Sequence, residues 1–101
     1  MQIGIDVGAT KIESVVLEEN GQESHRSRTE CPKDYLTIIK TIKEISVNLE
    51  KEFDRKLPLG VCHPGTHSPQ TGLVKNAPNC YWLEKKPFQN DLKKALDKEV
   101  F

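Results

Sequence analysis

The chain has 101 residues, enough for one domain. Lys and Arg number 15, as do Asp and Glu, so the formal net charge is +0 and no strong field draws the chain to nucleic acid or an anionic membrane. Hydrophobic residues make up 36% and charged ones 30%, and no apolar run approaches the roughly 18 to 20 residues that span a bilayer.

Gln2 to Val7 reads as a short strand, with Ile3, Ile5 and Val7 alternating against Gln2, Gly4 and Asp6. A turn follows at Gly8-Ala9-Thr10, and Lys11 to Leu17 is a second β-rich run. The two runs are too close for a crossover helix, so they pair as an antiparallel hairpin. The hairpin carries an acid at the end of its first strand and a hydroxyl in its turn. That pattern suits a phosphate. Gly8 lets the backbone approach an anion, the turn amides can point at it, and Thr10 adds a donor. Asp6 can hold Mg²⁺ through water. The other use of the same residues is an ordinary β-turn with a capping Asp.

Glu18 to Gly21 is a polar turn. Gln22 to Thr29 reads as a third strand, polar on both faces as an edge strand is, or else as a loop. His25 receives no role. Pro32 breaks the chain and Asp34 is placed to cap a helix. From Tyr35 to about Lys56, Leu36, Ile38, Ile39, Ile42, Ile45, Leu49 and Phe53 recur at helical spacing. This is a packing helix with no chemistry on it. Leu57 to Cys62 is an apolar strand ending in His63-Pro64-Gly65. A right-handed crossover lays it parallel to the first strand. The Gly8-Ala9-Thr10 turn and the Pro64-Gly65 loop then share the carboxyl edge of the sheet, where open α/β sheets bind ligands.

Thr66 to Gly72 reads as a loop, Leu73 to Lys75 as a short strand and Asn76 to Asn79 as a turn. Tyr81, Trp82 and Leu83 supply apolar bulk, Trp82 more as a core anchor than as a platform for a ligand. Asp91 to Asp97 is a short helix with Leu92, Ala95 and Leu96 inward. Val100 and Phe101 open a further strand, so a truncated piece of a longer protein is expected. Cys31, Cys62 and Cys80 are odd in number, which points to reduced thiols and a cytoplasmic protein without structural zinc. The N-terminus enters its strand with no signal core. His63 and His67 lack a third ligand, so no metal is assigned to them.

The blocks together resemble one family. Ile5-Asp-Val-Gly-Ala-Thr-Lys11 is similar to the opening phosphate motif of the ROK family of sugar kinases and sugar-responsive repressors. Gly60 to Gly65, Pro69-Gln-Thr-Gly72, Asn76 to Asn79, Trp82-Leu83, Pro87-Phe88 and Asp91-Leu92 resemble its later blocks in order and spacing. Val74 to Ala77 with the Trp-Leu and Pro-Phe pairs resembles bacterial fructokinases of the manno(fructo)kinase type.

The resemblance implies an actin-like, ribonuclease-H-like α/β fold in two lobes, with ATP and sugar in the cleft. Residues 1–101 would be most of the N-terminal lobe: a mixed sheet with antiparallel first strands and a crossover helix. Asp6, Gly8, Thr10 and Lys11 are then expected on the Mg²⁺–phosphate side. Gly65, Thr66 and Asn79 are expected on the sugar, with Asn76 in reserve, since an amide offers both hydrogen-bond senses to a polyol. The general-base Asp of the family's Asn-Asp-Ala segment, its zinc site and its adenine lobe are expected after Phe101. The expected activity is transfer of a phosphoryl group from ATP to a hexose, fructose first, by the whole protein and not by this chain alone. A sugar-sensing regulator and a self-associating fragment, as homodimer or domain swap, are the alternatives. Two positions depart from the pattern. Ala9 replaces a turn glycine, at a cost of roughly 1 kcal/mol if φ is positive there. Cys62 replaces the glycine before His63-Pro64-Gly65.

Overall fold

The alternation of apolar and polar residues sets the first three strands. In the computed structural model these are β1 (Gln2–Val7), β2 (Lys11–Leu17) and β3 (Glu23–Glu30). They are followed by helix α1 (Tyr35–Phe53), strand β4 (Leu59–Cys62), the small strands β5 (Thr66–His67) and β6 (Val74–Lys75), a 3₁₀ segment (Pro78–Leu83) and helix α2 (Phe88–Leu96). The structure describes the backbone of residues 1–101 and all side chains except those of His67, Pro78 and Asn79.

The main sheet runs β3-β2-β1-β4. β1 pairs antiparallel with β2, in register Val7 with Ile12, and parallel with β4, in register Asp6 with Cys62. The hairpin and the crossover are therefore both present. β3 stands at the edge, with a shift in register between Val16 and Leu17. Val100 and Phe101 lie along the far side of β4, where the Phe101 amide donates to the Leu59 carbonyl at 2.9 Å.

One face of the sheet presents Ile3, Ile5, Val7, Ile12 and Val16, all buried, to a single core that includes Ile38, Ile42 and Leu49 of α1 and Phe88 and Leu92 of α2. Asp34 caps α1 as expected, accepting from the Thr37 amide at 3.0 Å and the Thr37 hydroxyl at 2.6 Å. Two details of the helix differ from the sequence reading. Leu36 is 74% exposed. It precedes Ile38 by two residues, about 200° around the helix, so the two cannot share a face. The helix also stops at Phe53, not Lys56. Asp54 turns left-handed at φ 51° and its amide donates to the Glu50 and Lys51 carbonyls.

The crossover strand begins at Leu59 rather than Leu57, because the Leu57 amide donates to the Glu50 carboxylate at 2.8 Å and Pro58 has no amide. The stretch read as a loop from Thr66 is a hairpin instead: Thr66 pairs with Lys75, and the Ser68 amide donates to the Leu73 carbonyl at 2.9 Å. No helix is long and apolar enough to cross a membrane among the described residues.

Candidate functional site

The first turn is built by the hairpin register. With Val7 opposite Ile12, the Gly8 amide donates to the Lys11 carbonyl at 2.8 Å. A Cβ on Gly8 would stand 3.1 Å from that same oxygen, a tight contact at the bond that closes the hairpin. Its own amide is thereby engaged within the hairpin. Ala9 is not among the residues of positive φ, so the strain considered for a non-glycine there does not arise. Thr10 is exposed, and its carbonyl accepts from the Cys31 amide at 2.9 Å, which ties the turn to the segment before α1. Lys11 is exposed, and among the described residues its amine has no ion pair.

Asp6 occupies the end of β1, exposed, between Glu13 of β2 and Cys62 of β4. Among the described residues its carboxylate accepts no hydrogen bond and joins no ion pair. A capping acid would be bonded to the turn amides, so the plain-turn reading of Asp6 is not what the fold builds. Asp6 and Glu13 line one end of an open trough of about 430 Å³ on the sheet face away from α1. Gly4 and Gly60, paired in register, form its floor, with Val15 and Phe101 beside them.

The second loop leaves β4 one residue beyond Asp6's partner Cys62, so parallel pairing sets His63 and Pro64 at the same sheet edge as Val7 and Gly8. His63 meets the Phe88 ring edge-on at 5.5 Å, and its Nδ1 lies 2.8 Å from the Pro64 carbonyl oxygen. Gly65 has φ 78°, and a Cβ there would run into the Lys75 carbonyl and come within 3.0 Å of Asn76. Its glycine is therefore demanded by the β5–β6 hairpin whether or not a ligand binds. Asn76 is itself left-handed at φ 61°, a conformation that asparagine tolerates better than most residues, and it is exposed. Thr66 is exposed on β5. The side chain expected of Asn79 lies outside the described residues. The trough at Asp6 is not lined by Gly8, Thr10, Gly65 or Thr66.

Trp82 is 8% exposed, and its indole N–H has no partner among the described residues. It is part of the core, as its sequence context suggested. Burial pushes the Cys31 and Cys80 thiols up, and Cys80 adds to the effect on Cys31. Two arrangements escaped the sequence reading. Glu13 accepts from both Arg26 and Arg28, at 3.3 and 3.2 Å. Lys98 reaches back to α1, donating to the Ser46 hydroxyl at 2.6 Å, the Glu50 carboxylate at 3.2 Å and the Leu57 carbonyl at 2.6 Å. The alternation of Arg26 and Arg28 on β3 was the only local signal for the first; the second spans 52 residues and had none.

A hairpin ending in a free carboxylate, a long crossover helix and a parallel strand closing on the same edge define an actin-like, ribonuclease-H-like α/β lobe. The chain belongs to the ROK family, whose model matches residues 2–101. It is 33% identical over 101 residues to the N-acetyl-D-glucosamine kinase of Haemophilus influenzae, covering 99% of this chain and 33% of that one. The fold superposes on the ROK hexokinase of Thermus thermophilus with TM-score 0.83 at 22% identity, over 99% of this chain and 33% of the other. It likewise matches a ROK glucokinase from Streptomyces griseus, solved with glucose and AMPPNP, with TM-score 0.82 at 22% identity, over 98% of this chain and 31% of the other. The chain thus spans about a third of the length of the curated relatives it matches.

Proposed function

We propose that these residues form the N-terminal lobe of a two-lobed sugar kinase that moves a phosphoryl group from ATP to a hexose hydroxyl. The observation that carries this reading is the exposed Asp6 carboxylate, without a partner among the described residues, at the carboxyl end of β1 beside the Gly8–Thr10 turn. Such a group fits a hydrated cation next to phosphates, because nothing has to be displaced from it. ATP and Mg²⁺, when bound, supply the transferred group and the charge neutralisation that the transfer depends on. Asp6 orients the cation side, while the Thr10 hydroxyl and the Lys11 amine offer donors to phosphate oxygens. Gly8 holds the hairpin closed so that Asp6 and Thr10 keep their spacing. Gly65, Thr66 and Asn79 serve the sugar, with Asn76 holding the loop's left-handed corner.

The relatives with matching sequence are N-acetyl-D-glucosamine kinases. N-acetyl-D-glucosamine is therefore tried first, and glucose and fructose beside it. The test is an ADP-release assay on the full-length gene product with each sugar. ATP- and sugar-dependent turnover supports the reading. A protein that binds sugar without turnover would instead support the sensor. The 101-residue chain alone is expected to give no turnover, because the base and second lobe of the resemblance are outside it, and a measurable rate would contradict this. The sheet face opposite α1, with Val15 and Phe101, is open enough that the isolated chain is expected to self-associate. A clean monomer by light scattering would contradict that expectation.

A further inference from the structure

We infer that Glu13 is a positioning residue: it holds Arg28 away from Asp6 and so keeps the Asp6 carboxylate free. The purpose given to it rests on the phosphate reading of Asp6 above, although the electrostatics do not.

The sheet register puts the groups in one row. Asp6 of β1 lies opposite Glu13 of β2, and Glu13 lies opposite Arg28 of β3. Arg26 is two residues from Arg28 and shares its face. Glu13 Oε1 accepts from Arg26 Nη1 at 3.3 Å and from Arg28 Nη2 at 3.2 Å. Arg26 has a second anchor, since its Nε donates to Glu23 Oε2 at 3.0 Å and its Nη2 donates to Glu23 Oε1. These bonds raise the Arg26 pKa above its ordinary value. For Arg28, Glu13 is the one ion-pair partner among the described residues.

Asp6, Glu13, Glu23 and Glu30 thus share this face with two guanidinium groups, and among the described residues Asp6 and Glu30 are the carboxylates without a partner. Side chains directly opposite across a β-pair stand roughly 4.5 to 5.5 Å apart at Cβ, so Asp6 and Glu13 compete for the same cation. Arg28 is two strand spacings from Asp6, about 10 Å between backbones, a gap that two extended side chains can bridge. It is free to move, being 62% exposed, while Glu13 is 28% exposed and pinned from two sides. Without the Glu13 charge, the acids left within reach of Arg28 are Glu30, two residues along β3, and Asp6 across the sheet. An Asp6 paired with Arg28 has to release it before meeting a cation, a handicap of roughly two- to fivefold for an exposed pair.

The experiment is a cycle on the full-length gene product, read by the Arg28 side-chain N–H signal in NMR spectra. E13Q keeps the shape of the side chain and removes its charge. With Glu13 present, D6N is expected to leave the Arg28 signal in place. In the E13Q background, D6N is expected to move it. A D6N effect that is the same in both backgrounds, or absent from both, would overturn the inference. In the full-length product, E13Q is expected to weaken use of Mg·ATP by roughly two- to fivefold, and adding R28Q is expected to restore it. An E13Q/R28Q protein as impaired as E13Q would also overturn it. A fully active D6N would defeat the phosphate reading and the purpose given to Glu13. The NMR cycle would still decide whether Glu13 holds Arg28.

Discussion

Removing the Lys98 ammonium, as in K98M, is expected to loosen the joint between α1, β4 and the segment after α2. Lys98 is 16% exposed and Glu50 18%, so water can replace little of what is lost. The substitution deletes three hydrogen bonds, to Ser46, Glu50 and Leu57. Breaking a fully buried ion pair costs about 3 to 5 kcal/mol. Here the Leu57 amide still bonds Glu50 at 2.8 Å, and the methionine refills the volume, so about 2 kcal/mol is a fair expectation. For a domain of this size that lowers Tm by roughly 8 to 16 °C. Burial raises the Glu50 pKa, but the Leu57 amide, the Lys98 hydrogen bond and charge, and Lys56 together outweigh it, and the net shift is downward. A carboxyl whose folded pKa is depressed contributes stability above its unfolded pKa, near about 4.3, and loses it as pH falls through the folded value. Wild-type Tm should therefore fall below about pH 4, and this part of the fall should be smaller in K98M. Thermal melts by circular dichroism at pH 7 and pH 3 measure both effects. A K98M change under about 2 °C at pH 7 would refute the reasoning.

G65A is expected to cost about 2 kcal/mol or more, from positive φ together with the collision at Lys75, and chemical denaturation measures it. A change under about 0.5 kcal/mol would mean that the β5–β6 hairpin tolerates a side chain there. D34A removes the cap on α1, where Asp34 accepts two bonds from Thr37, and should cost about 1 kcal/mol. Equal stability of D34A and wild type in urea would contradict that role.

The hairpin, the crossover and the Asp34 cap were legible because each rests on neighbours a few residues apart: alternation in β1 and β2, helical spacing in α1, an acid three residues before Thr37. What the sequence concealed depends on distance along the chain. Ser46 interrupts the apolar stripe yet is 2% exposed, and Lys98, which makes that tolerable, comes 52 residues later. Leu36 looked apolar enough to join the core, but its angle around the helix decided otherwise. Gly65 was readable as a turn glycine, whereas the carbonyl it avoids belongs to Lys75 on a strand that had been read separately. At the candidate site, the place of Asp6 near the exposed end of β1 was legible from the alternation. The charge row was not, because it requires the β2–β3 register that sets Glu13 opposite Arg28.

The most direct measurement is turnover of the full-length gene product with Asp6→Asn, at saturating sugar and varied Mg·ATP. If the end of β1 meets the nucleotide's cation, the rate should drop by about 100-fold or more while sugar binding stays near the wild-type value. A variant that turns over at the wild-type rate would place the phosphates elsewhere.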